Sequence, residues 1–181
     1  MAARDQWKNG AVRYLTIVRH AKAEKAGPAQ RDKDRALNER GRRQCEQLRR
    51  WASDEHELGR FGPTTALVSA ATRTKETFER AFAGTPFVTE HVESELIYNG
   101  LHYVSAEDVL IDLAAIDPVT TSLLVIGHNP TVLELLATLV RDLPRPMREG
   151  YPLAGAFVVA LPGNEQIGPG PYELVARYVP D

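Results

Sequence analysis

The chain has 181 residues, 43% of them hydrophobic and 25% charged, which excludes wholesale disorder and suits one domain with its own core. Its 22 Lys and Arg stand against 24 Asp and Glu, a formal charge of −2, so no global basic excess draws nucleic acid or an anionic membrane. The single cysteine, Cys45, excludes an internal disulfide and fits a reducing compartment.

Residues 1–12 are mostly polar, lack the apolar core of a signal peptide and are expected to form a peripheral or flexible arm. Arg13–Arg19 (RYLTIVR) is apolar and β-branched and predicts a buried strand. The charged stretch Ala21–Ala36, with Gly27 and Pro28, reads as a surface loop. Asn38 can cap a helix running to about Ala52, with Cys45, Leu48, Trp51 and Ala52 at helical spacing. Cys45 there reads as a partly buried small residue rather than a nucleophile.

Thr65–Ser69 predicts a second strand, followed by a helix over Arg73–Phe82 that Gly84 and Pro86 end. Phe87–Val92 is a third strand. Ser105 and Asp108 form a capping-box pattern for a helix to about Ile116, stopped by Asp117-Pro118. Ser122–Ile126 is the cleanest buried strand, and Pro130 opens a helix through about Arg141. After a proline-interrupted loop, Pro144–Pro152, come late strands at Ala156–Leu161 and Tyr172–Tyr178, joined through the Gly/Pro-rich Pro162–Pro171. The most apolar runs, Leu123–Gly127 and Ala154–Leu161, fall far short of the ~20 residues of a membrane helix, so a cytoplasmic location is expected. Alternating strands and helices predict a single-domain, three-layer α/β/α fold over 1–181 with a mostly parallel central sheet.

Three predicted strands are each followed at once by residues suited to phosphate. The first ends in Arg19-His20-Ala21-Lys22, the second leads through Ser69-Ala70-Ala71-Thr72 to Arg73, and another ends in Gly127-His128-Asn129-Pro130. Parallel strands would bring all of them to the sheet's carboxyl edge, where ligands of open α/β sheets bind. Each piece alone has an ordinary reading: an Arg-His pair carries no chemistry by itself, Arg73 could be a solvated helix start, and Asn129 could cap a helix. Their shared placement points to a phosphate site. Two guanidiniums can grip phosphoryl oxygens in fork geometry, and neutral imidazole is a competent nucleophile near neutral pH.

Val18-Arg19-His20-Ala21 resembles the Arg-His-Gly signature of the histidine phosphatase (phosphoglycerate-mutase-like) superfamily, with Ala21 where many members have glycine. Leu37-Asn38-Glu39-Arg40-Gly41-Arg42-Arg43-Gln44 is similar to the stretch opening that family's first helix, and Ser69–Thr77 to its Ser-Pro-x-x-Arg-x-x-x-Thr segment, with Ala70 in place of proline. Val125–Pro130 resembles its second-histidine segment, and length and the Gly-His-Asn-Pro form are similar to the small bacterial phosphohistidine phosphatases. The resemblance implies a phosphoglycerate-mutase-like fold, His20 as nucleophile, and Arg19, Arg73 and His128 as the phosphate pocket, with no metal or cofactor. It implies a phosphatase acting on a phosphate monoester or phosphohistidine through a covalent phosphohistidine. The alternatives are a mutase-type phosphotransferase and a non-catalytic phospho-ligand binding module.

The general acid is open: Glu95 matches the family's glutamate after the third strand, with Glu93 as runner-up or no acid at all. Lys22 could gather the anion or be merely solvated, and Tyr98 could line the pocket or pack. His56, His91 and His102 lack metal-ligand spacing and read as surface or structural residues. Partners are expected to be phosphorylated substrates, either phosphohistidine proteins or small phosphomonoesters, with no nucleic acid and no membrane.

Overall fold

A computed structural model describes residues 12–53, 58–98, 100, 102–116, 120–143, 147, 150–163 and 167–180. Residues 1–11 of the expected arm, His56, the Asp117-Pro118 stop and much of the Pro144–Pro152 loop lie outside them.

Six strands form one sheet: β1 (Val12–Arg19), β2 (Thr64–Ser69), β3 (Val88–Ser94), β4 (Ser122–Gly127), β5 (Ala156–Pro162) and β6 (Glu173–Tyr178), in spatial order β3-β2-β4-β1-β5-β6. The first four run parallel, and β5 and β6 add an antiparallel edge. Among the described residues four α-helices connect them: α1 (Glu39–Ser53), α2 (Thr72–Ala81), α3 (Ala106–Ala114) and α4 (Thr131–Leu139).

The central strands are apolar on both sides because each side meets a separate core. One cluster joins Leu15, Ile17, Leu123 and Val125 to Val109, Leu113, Leu135 and Leu136 of α3 and α4. The other joins Val18, Ala66, Val68, Leu124 and Ile126 to Leu48, Ala52, Phe78 and Ala81 of α1 and α2. Alternate residues of one strand thus serve opposite layers, giving the expected three-layer α/β/α arrangement. Leu15, Leu123 and Ile126 are wholly buried, and each contributes roughly 2 kcal/mol of transfer free energy.

Local chemistry explains the helix starts. The Asn38 Oδ1 accepts the Gly41 N–H at 2.9 Å at the head of α1. Ser105 and Asp108 make the full reciprocal capping box of α3. Pro130, expected as the first helical residue, instead sits as the N-cap of α4, and its carbonyl accepts the Leu133 and Glu134 N–H groups at 3.0 Å. Asn129 supplies no side-chain cap there. Cys45 is fully buried rather than partly so, and burial pushes its thiol up to about 12, which makes it inert at neutral pH. No helix among the described residues is long and apolar enough to cross a membrane.

Candidate active site

Strand register brings the two imidazoles together. Arg19, the last residue of β1, stands beside Gly127, the last of β4, so His20 and His128 leave neighbouring strands side by side. The His20 N–H donates to the Gly127 carbonyl at 3.1 Å, and the ring centroids lie 5.1 Å apart. On the other flank of β4, β2 ends in Ser69, whose hydroxyl lies 2.8 Å from His128 Nε2. Arg73 follows from the first turn of α2 and is 4% exposed.

His20, His128 and Arg73 line a cavity of about 760 Å³, together with Arg19, Lys22 and Tyr98. Arg19, His20, Arg73 and His128, expected to meet from three separate sequence segments, therefore do meet. Among the described lining residues, six basic side chains (Arg19, Lys22, Arg31, Lys33, Arg35 and Arg73) face one carboxylate, Asp32. The positive field is local, as a chain of net charge −2 requires of any anion site. Glu95 is not brought into this cavity: its carboxylate pairs with Lys33. Glu93 is also outside it, 3.4 Å from Lys75 on the exposed strand β3.

The His20 Nδ1 lies 2.7 Å from the Ala21 carbonyl oxygen. A carbonyl only accepts, so Nδ1 carries the proton and Nε2 keeps the lone pair. Burial, opposed in part by the Ala21 hydrogen bond and reinforced by Arg73 and Arg19, pushes His20 down to about 3. Burial likewise pushes His128 down, with His20 and Arg73 adding repulsion. Both rings are therefore neutral at physiological pH. Arg19 Nε, Arg73 Nε and His128 Nδ1 are buried nitrogens without a protein partner, and Asn129 Oδ1 is a buried oxygen without one. Nitrogens left bare in a basic cavity are what a phosphoryl group's oxygens would satisfy.

The loop after β1 is held by residues far away in sequence. The Ala21 N–H donates to Thr77 Oγ1 at 3.1 Å, and that hydroxyl donates to the Arg73 carbonyl at 2.6 Å. The Lys22 N–H donates to Gln44 Oε1 at 3.0 Å, and the Lys22 carbonyl accepts the Asn38 N–H at 3.0 Å. Arg19 Nη1 donates to the Tyr151 carbonyl at 2.5 Å, while the wholly buried Tyr151 hydroxyl donates to Ile17.

Sequence reasoning missed Asp32, Ser69 and Tyr151 as site residues. Asp32 sits on a 3-10 turn, Asp32–Asp34, whose charged run reads as a solvated loop. It nevertheless reaches into the cavity, where its carboxylate meets Arg73 at 2.9 Å, Arg35 at 2.7 Å and the Tyr98 hydroxyl at 3.2 Å. Ser69 opens the Ser69–Thr77 segment, and its position at a strand end is the signal the sequence offers. Tyr151, between Gly150 and Pro152, offered none. His91 is exposed and packs on Phe78 at 4.8 Å between ring centroids, and His102 is exposed. Among the described residues no group of His, Cys, Asp or Glu stands where a metal ion could be held.

The profile of the histidine phosphatase superfamily (branch 1) matches residues 15–97. Among solved structures, the SixA protein of Agrobacterium tumefaciens, assigned as a phosphohistidine phosphatase, is 29% identical with a TM-score of 0.72, over 93% of this chain and 98% of that one. The corresponding SixA protein of Nakamurella multipartita is 25% identical with a TM-score of 0.69, over 93% and 96%. The protein histidine phosphatase SixA in complex with tungstate shares the fold at 20% identity and a TM-score of 0.70, over 92% and 96%. A search of curated protein sequences returns no match. In fold and in these likenesses the chain is similar to phosphatases, hydrolases acting on phosphoryl groups. Over residues 15–97, just under half of its length, the chain is similar to the histidine phosphatase superfamily.

Proposed function

We propose that the protein hydrolyses phosphohistidine on a protein substrate, passing the phosphoryl group through His20. The observation that carries this reading is the Nδ1–H of His20 held by the Ala21 carbonyl at 2.7 Å, which leaves the Nε2 lone pair for attack. Arg19, Arg73 and His128 line the same cavity and supply donors to the oxygens, where charge spreads in the transition state. In the first step Nε2 of His20 forms a bond to phosphorus as the substrate's P–N bond breaks. In the second, water attacks phosphorus, His20 leaves with its lone pair, and inorganic phosphate departs.

The leaving group decides between substrates. An alkoxide needs a proton from an acid in the site. Asp32 is the carboxyl that lines the cavity among the described residues. Its burial raises its pKa, but Arg73 and Arg35 outweigh that and hold it below the usual carboxylate range. It is an anion at neutral pH, and Glu95 is bound to Lys33 outside the cavity. Phosphohistidine needs no such acid. Its distal ring nitrogen takes a proton from solvent near neutral pH, given an imidazole pKa of ~6.5, and the ring then leaves as neutral imidazole. The assigned activities of the Agrobacterium and Nakamurella proteins point the same way.

The test compares a phosphohistidine peptide, an aryl phosphate and an alkyl phosphate. The expected order of kcat/KM follows leaving-group quality, with the alkyl ester slowest by at least ~100-fold, the lower range of a missing general acid. A quenched reaction should yield an acid-labile, base-stable phosphoenzyme that His20→Ala does not form. Equal turnover of the alkyl ester, or full activity in His20→Ala, overturns the proposal.

A further inference from the structure

The parallel side of the sheet ends in β3, which pairs with β2 on one side only and is exposed from Thr89 to Glu93. Glu90 stands beside Thr65, and Val92 beside Leu67. Leu67 belongs to the core under α3 and α4, so Glu90 and Val92 face the α3 layer. That layer does not cover them. A groove of about 700 Å³ lies between β3 and the end of α3, floored by Leu67, Glu90 and Val92 and walled by Leu96, Asp112 and Ile116. Val92 is 45% exposed and Leu96 72%, two of the five large apolar side chains exposed among the described residues.

The charge of the groove is the reverse of the catalytic cavity's. Four carboxylates line it (Glu90, Glu93, Glu95 and Asp112), with no basic side chain among the described lining residues. The two hollows touch at one ion pair: Lys33 lines the basic one, Glu95 the acidic one, and the two are bonded to each other. A phosphate can thus enter one hollow while a cationic neighbour of it occupies the other.

We infer that this groove docks a basic, extended segment of the phosphorylated substrate protein, laid along the free edge of β3. Such a strand would take the unpaired backbone groups of the edge, set Lys or Arg against Glu90 and Asp112, and rest apolar residues on Val92 and Leu96. A second copy of this chain does not fit the role, because its β3 reads VTEHVES and brings no Lys or Arg to the carboxylates of the groove. At the opposite edge strand, β6, Arg60 donates to the Val175 carbonyl at 3.4 Å. The inference rests on the proposed function in taking the substrate to be a protein.

The test uses the full chain with two fluorescent, unphosphorylated peptides, one alternating Lys and Val and the other Glu and Val. Anisotropy should show binding of the Lys peptide alone. The Glu90→Lys/Leu96→Lys variant, changed only at exposed sites outside the catalytic cavity, should bind it at least about tenfold more weakly. Glu173→Lys on β6 should leave binding unchanged. Equal binding of both peptides, or undiminished binding by Glu90→Lys/Leu96→Lys, overturns the inference. With a phosphohistidine placed in the Lys peptide, kcat/KM should fall in Glu90→Lys/Leu96→Lys while turnover of free phosphoramidate holds. If the wild type turns over no phosphohistidine, the proposed function fails, and the unphosphorylated peptides still decide the docking surface.

Discussion

Asp32 occupies Arg73 twice over: its carbonyl accepts from Nη1 at 2.8 Å, and its carboxylate accepts from Nη2 at 2.9 Å. The guanidinium expected to grip a phosphoryl group is therefore already gripped by an internal anion. Arg35, at 2.7 Å, and the Tyr98 hydroxyl, at 3.2 Å, hold that carboxylate from other sides. An entering phosphate must compete with Asp32 or accept its repulsion. Asp32→Asn removes the competing charge while keeping the shape and the backbone contact. We expect inorganic phosphate to bind about tenfold more tightly to this variant at neutral pH, about 1.4 kcal/mol, by calorimetry. Unchanged or weaker binding would mean that Asp32 serves to orient Arg73 rather than to compete for it.

Gly41 gives a prediction in which helix propensity and packing have opposite signs. It lies in the first turn of α1, where alanine should stabilise an exposed helix by about 1 kcal/mol over glycine. A Cβ built there would stand 2.1 Å from the Lys22 carbonyl oxygen, a backbone atom fixed by the Asn38 N–H. Backbone cannot yield cheaply, so the steric cost wins. Gly41→Ala should lose about 2 kcal/mol of stability in urea denaturation and slow turnover, because Lys22 anchors the loop that follows His20. A gain in stability would show that α1 can withdraw from that loop at little cost.

The site was legible in the sequence to the extent that it is built from strand ends. Arg19 ends its apolar strand, and His20 and His128 each follow the last residue of theirs, so strand order alone carries them to one edge. Arg73 follows by a single turn. The residues missed are those whose roles depend on loops crossing back over the sheet. Nothing local in Asp32-Lys33-Asp34 distinguishes the carboxylate that meets Arg73 from the one that pairs with Arg31 on the surface. Tyr151 reaches Ile17 and Arg19 across more than a hundred residues, a contact set by the path of the chain and not by its pattern. Cys45 is buried further than its pattern implies because α1 packs against α2 and the sheet, which seals Cys45, Leu48 and Ala52 and leaves Trp51 half-buried.

Glu95 supplies the third prediction. Its carboxylate is two-thirds exposed and bound to Lys33, outside the cavity. Surface pairs of this kind contribute ~0–1 kcal/mol, and a group so placed is poorly sited to protonate a leaving atom. Glu95→Gln should therefore leave kcat on a phosphohistidine peptide within about twofold of wild type, whereas removal of a general acid costs ~100-fold or more. A loss of that larger size, confined to kcat, would establish Glu95 as the acid after all.

The buried imidazoles predict an acid weakness. Both rings have folded-state pKa values pushed down by burial, His20 to about 3, against ~6.5 in the unfolded chain. Between those values the unfolded chain binds protons that the folded one refuses, so stability falls as pH drops from about 6.5 towards 3. Each ring can contribute up to about 1.4 kcal/mol per pH unit within that window. Above about pH 7 both states are neutral and the penalty vanishes. Urea unfolding at pH 7, 5.5 and 4 should show this slope, and His20→Asn/His128→Asn should flatten it, leaving the carboxylate contribution. Saturating inorganic phosphate should oppose the loss in the wild type, since an anion in the cavity favours protonated imidazole. A slope unchanged by the double substitution would mean that the two rings take up protons in the folded state, and that charge on them is tolerated beside Arg19 and Arg73.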